Sequence, residues 1–222
     1  MTRQTIPAKN LPRFIAVEGP IGVGKTSLCK RLADTFNYSL LLEKSEENPF
    51  LDRFYKSPQQ FALATQLFFL FQRAQQMQEL RQDDMFEPVR VADFLIEKDQ
   101  LFAQQNLDQD EYALYEKVYQ HLTLNAPTPD LVIYLQAPTA VLLERIQKRG
   151  HPAEQYIELA YLENLNRAYA EFFHYFKQSS LLIVNCEEID LVENEDYYQQ
   201  LVDYIVALPK GTTYFNPRQA LL

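Results

Sequence analysis

Apolar positions along the chain follow two spacings. Phe14–Val17 is an unbroken apolar run ending in Glu18 and Gly19, as expected of a strand buried on both faces. From Ser27 to Phe36 the spacing changes: Leu28, Leu32 and Phe36 fall four apart, which predicts a helix. Tyr38–Leu42 predicts a second strand, closing on Glu43, and the polar stretch Lys44–Asn48 leads to Pro49. Phe61–Leu80 carries Phe61, Leu63, Leu67, Phe68, Leu70, Phe71 and Met77 without Gly or Pro, and predicts the longest helix of the first half. Gln66 and Arg73 lie seven apart within it and share a face. Val89–Ala92 predicts a third strand, ending at Asp93, followed by helices over Phe94–Phe102 and Glu111–Leu122. Leu131–Leu135 predicts a fourth strand. Pro138 and Thr139 turn into a helix ending near Arg149 and Gly150. Ala153–Phe176 predicts another long helix, Leu181–Val184 a fifth strand and Tyr197–Val206 a terminal helix. Lys210–Leu222, with Gly211 and Pro217, reads as a mobile tail.

Strand followed by helix, repeated about five times, predicts an α/β fold. Its parallel, five-stranded sheet would be flanked by helices, with both faces covered. The 222 residues are enough for one substantial core, so 1–222 is expected to be a single domain. Hydrophobic residues make up 47% and charged residues 23%, which excludes a disordered chain. The net charge of −9 argues against broad binding to a nucleic acid backbone, but a locally basic pocket could still take a small phosphorylated ligand. Cys29 and Cys186 are too few for a disulfide scaffold, and His121, His151 and His174 form no metal-ligand cluster in sequence. Neither a signal-peptide core nor an 18-residue apolar run is present, so a cytoplasmic protein without a membrane partner is expected.

The chemistry begins after the first strand. Gly19-Pro20-Ile21-Gly22-Val23-Gly24-Lys25-Thr26 satisfies G-x-x-x-x-G-K-[ST], with a strand before it and a helix after it. Glycines let the backbone curl so that amide hydrogens converge on phosphate oxygens, and the helix start adds unpaired amides. Lys25 can neutralise the outer phosphates, the Thr26 hydroxyl can ligate magnesium, and Ser27 adds a further hydroxyl. The motif predicts binding of ATP with Mg2+ but leaves the acceptor open.

Other segments address the acceptor. Glu43 to Leu51 reads Glu-x-x-x-x-Asn-Pro-Phe-Leu and runs on into Asp52-Arg53-Phe54-Tyr55. With the phosphate loop, it makes the chain from Phe14 to about Asn185 resemble the deoxynucleoside kinase family, bacterial members above all. The resemblance implies a P-loop nucleoside-kinase fold with an arginine-bearing lid over 143–155. It assigns Glu43 to the sugar 5'-hydroxyl, and a carboxylate at the C-terminal end of a strand does face the ligand side of an open α/β sheet. It further matches Tyr55 to the sugar 3'-hydroxyl, Gln66 and Arg73 to the base edge, and Phe102 to the base face. A primary amide and a guanidinium fork both suit such edges. One landmark is altered. Many members carry an acidic-Arg-Ser triplet after the third strand, whose Arg supports the catalytic carboxylate. Here Val91-Ala92-Asp93-Phe94 keeps the acid, which would organise magnesium, but lacks the arginine. Arg90 and Arg81 are nearby substitutes, and spacing selects neither. Lys98 falls near a family acidic residue that braces the base-reading Arg.

Arg145 to Glu154 resembles the lid. Arg145 and Arg149 are one helical turn apart, where cations can stabilise charge on a transferred phosphoryl group. Glu154 matches the lid carboxylate that reaches the sugar 3'-hydroxyl, and His151 stands where many members have another Arg. The expected activity is transfer of the ATP γ-phosphoryl group to the 5'-hydroxyl of a small-molecule deoxynucleoside, with a purine, particularly deoxyadenosine, favoured by resemblance. The resemblance also implies a homodimer. A nucleoside monophosphate kinase of the thymidylate-kinase kind is the nearest alternative, and a non-catalytic nucleotide-dependent regulatory protein is another.

Overall fold

Strand β1 (Phe14–Glu18) is buried at every position, as its unbroken apolar run requires. It lies at the centre of a sheet with β2 (Ser39–Leu41), β3 (Arg90–Ala92), β4 (Leu131–Gln136), β5 (Ser180–Asn185) and β6 (Thr212–Phe215). The strand order is β2-β3-β1-β4-β5-β6, and every pairing is parallel. Ile15 lies opposite Val91 on one side and Leu131 on the other. The computed structural model describes residues 11–83, 89–123, 126–207 and 210–215.

Alternate strand residues face opposite layers. Ile15, Val17, Ile133 and Leu135 join Leu28 and Leu32 of α1 (Lys25–Phe36) and Leu201 and Ile205 of α8 (Glu195–Ala207). Ala16, Val132 and Tyr134 face the other way, against Leu165, Tyr169 and Phe173 of α7 (Leu159–Tyr175). The Tyr134 and Phe173 rings stack there with centroids 4.1 Å apart. The remaining helices are α2 (Leu51–Lys56), α3 (Pro58–Asp83), α4 (Lys98–Asn106), α5 (Gln109–Thr123) and α6 (Thr139–Arg149).

The structure corrects three expectations. The sheet has six strands, not five, because Thr212–Phe215, expected in the tail, pairs with Leu181–Val184. Gly211 and Pro217 discourage a helix, but β-branched and aromatic residues between them suit a strand, and Phe215 is buried in the core. The rest of the expected tail, 216–222, lies outside the described residues. The long helix expected over Ala153–Phe176 is divided. A 3₁₀ turn over Pro152–Tyr156 and extended residues Ile157 and Glu158 precede α7, so the segment 143–155 expected to form a lid spans the end of α6 and the turn that follows. Finally, α4 begins at Lys98, leaving Phe94–Glu97 as a connection held over the end of β1.

Candidate active site

The carboxyl ends of β1, β2 and β3 carry the groups that define the site, at the edge where open α/β sheets bind ligands. After Glu18 the chain turns at once into the phosphate loop. At Gly22, φ is +85°, and a Cβ would come within 2.8 Å of Ile146 and 3.0 Å of the Leu142 carbonyl oxygen, so the loop lies tightly on α6. At Gly24, φ is +106° and the space beside Cα is open, which leaves a concavity ahead of the amides that begin α1. Lys25 Nζ donates to the carbonyls of Gly19 at 2.7 Å and Pro20 at 3.1 Å. Burial and the nearby Lys98 charge pull the Lys25 pKa down to about 8, against the opposing pull of Glu18, Glu43 and Asp93.

Asp93 ties three strand ends together. Its Oδ2 accepts from the Thr26 hydroxyl at 2.6 Å, and its Oδ1 accepts from the Glu43 backbone N–H at 2.7 Å. No cluster of three or more His, Cys, Asp or Glu side chains able to hold a metal exists among the described residues. A hydroxyl and a carboxylate, with the rest of the shell left to phosphate oxygens and water, is a donor set that suits magnesium.

Glu43 is enclosed by cations. Its Oε1 pairs with Arg73 and its Oε2 lies 3.3 Å from Lys98 Nζ. Burial pushes its carboxyl up, but Arg73, Lys98 and Lys25 outweigh burial and hold it at about 2. Arg73 is itself buried on α3 and makes a second ion pair with Asp99 at 2.5 Å. Burial works against its charge, yet Asp99 and Glu43 raise its pKa. Burial dominates at Asp99, whose pKa is raised despite Arg73. Arg73 Nε and Asp99 Oδ1 remain buried without a hydrogen-bond partner among the described residues. Gln66, on the same helix as Arg73, is also buried.

The sugar and lid residues lie along the other wall. Tyr55 lies in the last turn of α2 and packs beside Ile146, Ile157 and Leu162. Burial, followed by Tyr161, Glu154 and Glu43, pushes its phenol well above the ordinary value, which places it in the field of two predicted site carboxylates. Arg149 makes a forked contact with Glu154, its terminal nitrogen 2.6 and 2.7 Å from the two oxygens. Arg145 donates to the Cys186 carbonyl at 2.8 Å, so the two arginines expected in a lid do not share a partner. Phe102 packs edge-on against Tyr169 and has Lys98 Nζ 5.6 Å from its ring centre.

The deoxynucleoside kinase family profile matches residues 15–208. The chain is 34% identical to the deoxyguanosine kinase of Bacillus subtilis (strain 168), over 90% of this chain and 99% of that one. The chain belongs to the deoxynucleoside kinase family. The activity that accompanies membership is ATP-dependent phosphorylation of a deoxynucleoside, and members use ATP with Mg2+. It is also 28% identical to the deoxyadenosine/deoxycytidine kinase of the same organism, over 94% and 97% of the two chains. A solved structure of deoxyadenosine kinase from M. mycoides with bound dATP is similar in fold. Its TM-score is 0.73 at 28% identity, covering 86% of this chain and 99% of that one.

Two members of the site, Glu18 and Asp99, escaped the sequence, and a third, Lys98, meets partners the sequence did not indicate. Glu18, the last residue of β1, is fully buried and accepts from the Gly19 and Leu95 amides at 2.9 Å each and from the Tyr169 hydroxyl at 3.0 Å. A charge closing an otherwise apolar strand was the available signal. Asp99, rather than the residue at 98, braces Arg73; adjacent opposite charges at a helix start gave no hint of which faced inward. Lys98 instead faces Glu43 and Glu18. Of the nearby substitutes for the missing family arginine, Arg90 opens β3 at its amino end, away from the phosphate-loop edge. The Arg81 side chain lies outside the described residues. No helix among the described residues is long and apolar enough to cross a membrane.

Proposed function

We propose that this kinase transfers the γ-phosphoryl group of ATP to the 5'-hydroxyl of a purine deoxynucleoside. The observation that carries the reading is the hydrogen-bonded array running from Thr26, next to Lys25 at the start of α1, through Asp93 to Glu43 and Arg73. It joins a triphosphate cradle to a partly buried carboxylate and to unpartnered buried polar atoms able to read a base.

In this reading Glu43 meets the acceptor hydroxyl. A carboxyl held at about 2 is a weak base, so its main work is orientation, with the proton accepted late in a loose transition state. The backbone amides of Gly19 to Thr26, with Ser27, cradle the phosphates. Lys25 leaves its two carbonyl partners for the outer phosphates, joined by Arg145 and Arg149 from the lid. Thr26 and Asp93 would hold magnesium, which when bound neutralises phosphate charge. Tyr55 and Glu154 fix the sugar, while Gln66, Arg73 and Phe102 read the base.

A purine is favoured because relatives of this chain are named deoxyguanosine kinases and deoxyadenosine kinases. That range supports the expected purine class without selecting deoxyadenosine within it. A homodimer belongs to the same proposal: Phe71 and Leu114, 53% and 51% exposed on the adjoining helices α3 and α5, leave apolar surface for a second copy.

The test is magnesium-dependent phosphate transfer from ATP, with separated products, across the four deoxynucleosides and their monophosphates. A 5'-monophosphate from deoxyadenosine or deoxyguanosine is expected. Product only from deoxycytidine or thymidine overturns the purine assignment. Transfer only to monophosphates, or none despite ATP binding, overturns the acceptor.

A further inference from the structure

Lys98 is the first residue of α4, 4% exposed, and lies between two carboxylates. Its Nζ is 3.3 Å from Glu43 Oε2 and 3.7 Å from Glu18 Oε1. The longer distance is an ion pair without a hydrogen bond. Glu18 does not depend on Lys98 to be satisfied, because the Gly19 and Leu95 amides and the Tyr169 hydroxyl already donate to it. Glu43 does. Arg73 occupies Oε1, Asp93 fixes the Glu43 backbone amide, and Lys98 supplies the donor at Oε2. Without that donor the carboxylate keeps one anchored oxygen and can turn about the Arg73 contact.

Glu18 in turn anchors Lys98. The chain Glu18–Lys98–Glu43 links the end of β1, where the phosphate loop begins, to the end of β2, where the acceptor residue stands. A buried lysine is costly unless its partners use its charge, and the segment after β3 supplies no arginine next to Asp93 to do this work.

We propose that Lys98 is a positioning residue for phosphoryl transfer, holding Glu43 Oε2 so that the carboxylate meets the acceptor hydroxyl in one orientation. The proposal rests on the reading of Glu43 as the group that meets that hydroxyl. Lys98 reaches the reaction through Glu43, so its effect must vanish where Glu43 no longer acts. A double-mutant cycle in the full-length enzyme reads this directly.

Lys98→Met is expected to lower kcat by about 100-fold, with KM for ATP and deoxynucleoside within about threefold, and Lys98→Arg to recover at least about tenfold of the loss. In a Glu43→Gln background, Lys98→Met should cost less than about threefold. Thermal unfolding of each variant checks the fold, and Lys98→Gln replaces Lys98→Met in the cycle should the methionine variant not fold. Equal losses in both backgrounds, or a rise in KM at unchanged kcat, overturn the proposal by assigning Lys98 to the fold or to binding. Failure of the underlying reading has a different signature, which also removes this proposal: a Glu43→Gln enzyme with wild-type kcat, or a wild-type enzyme that phosphorylates no deoxynucleoside.

Discussion

Glu43 is held by more positive charge than it needs to stay ionised. Arg73 and Lys98 each take one oxygen, and the cost of burial is more than offset. The excess buys geometry rather than basicity, which is what a transition state with little early proton transfer requires. Glu43→Gln should therefore lower kcat by about 10²- to 10³-fold with little change in either KM, measured by steady-state phosphate transfer. Burial, rather than charge placement, governs the thiols. Burial pushes the Cys186 thiol up to about 12 and the Cys29 thiol well above its ordinary value. The thiolate is the reactive form, so at pH 8 both remain protonated and enclosed. Ellman's reagent should titrate neither in the native protein and both in denaturant; rapid native labelling would contradict the burial of either residue.

At the scale of elements, the proposed lid is secured weakly and the sixth strand firmly. The Arg149–Glu154 pair joins the end of α6 to the following 3₁₀ turn, with Arg149 51% exposed. An ion pair in that setting contributes about 0–1 kcal/mol, so exchanging it for phosphate and sugar partners costs little. Glu154→Gln should raise KM for the deoxynucleoside about tenfold and leave KM for ATP nearly unchanged. β6 is different in kind. Phe215 is 3% exposed against Tyr204, and its strand covers the edge of β5. Phe215→Ala should destabilise the fold by about 3–5 kcal/mol, read as a lower midpoint in urea. Strand β6 was not legible because a four-residue run between turn formers has no periodicity long enough to separate it from a tail. The interruption of the expected 153–176 helix was missed for a related reason: apolar spacing continues through the turn, while the backbone does not.

For the molecule as a whole, a net charge of −9 coexists with a site in which Lys25, Arg73 and Lys98 are gathered around Glu18, Glu43, Asp93 and Asp99. The cations attract a triphosphate locally while the outer surface stays acidic. Sedimentation should give a particle of about twice the 26.1 kDa chain mass if the α3–α5 face pairs two copies, and Phe71→Asp should return it to a monomer. The amino-acid sequence by itself determined the α/β alternation, because strands buried on both faces must be apolar runs and helices that cover them must repeat every three to four residues. It also determined the phosphate loop, whose chemistry is local and contiguous, and pointed to Glu43, Gln66 and Arg73 through a spaced family pattern. Only the tertiary structure decided which charges meet. Asp99 meeting Arg73, and Lys98 meeting Glu43 and Glu18, join the start of α4 to α3 and to the ends of β2 and β1. Their contacts depend on how α3 and α4 pack over the strand ends, and no spacing along the chain encodes a distance across the fold.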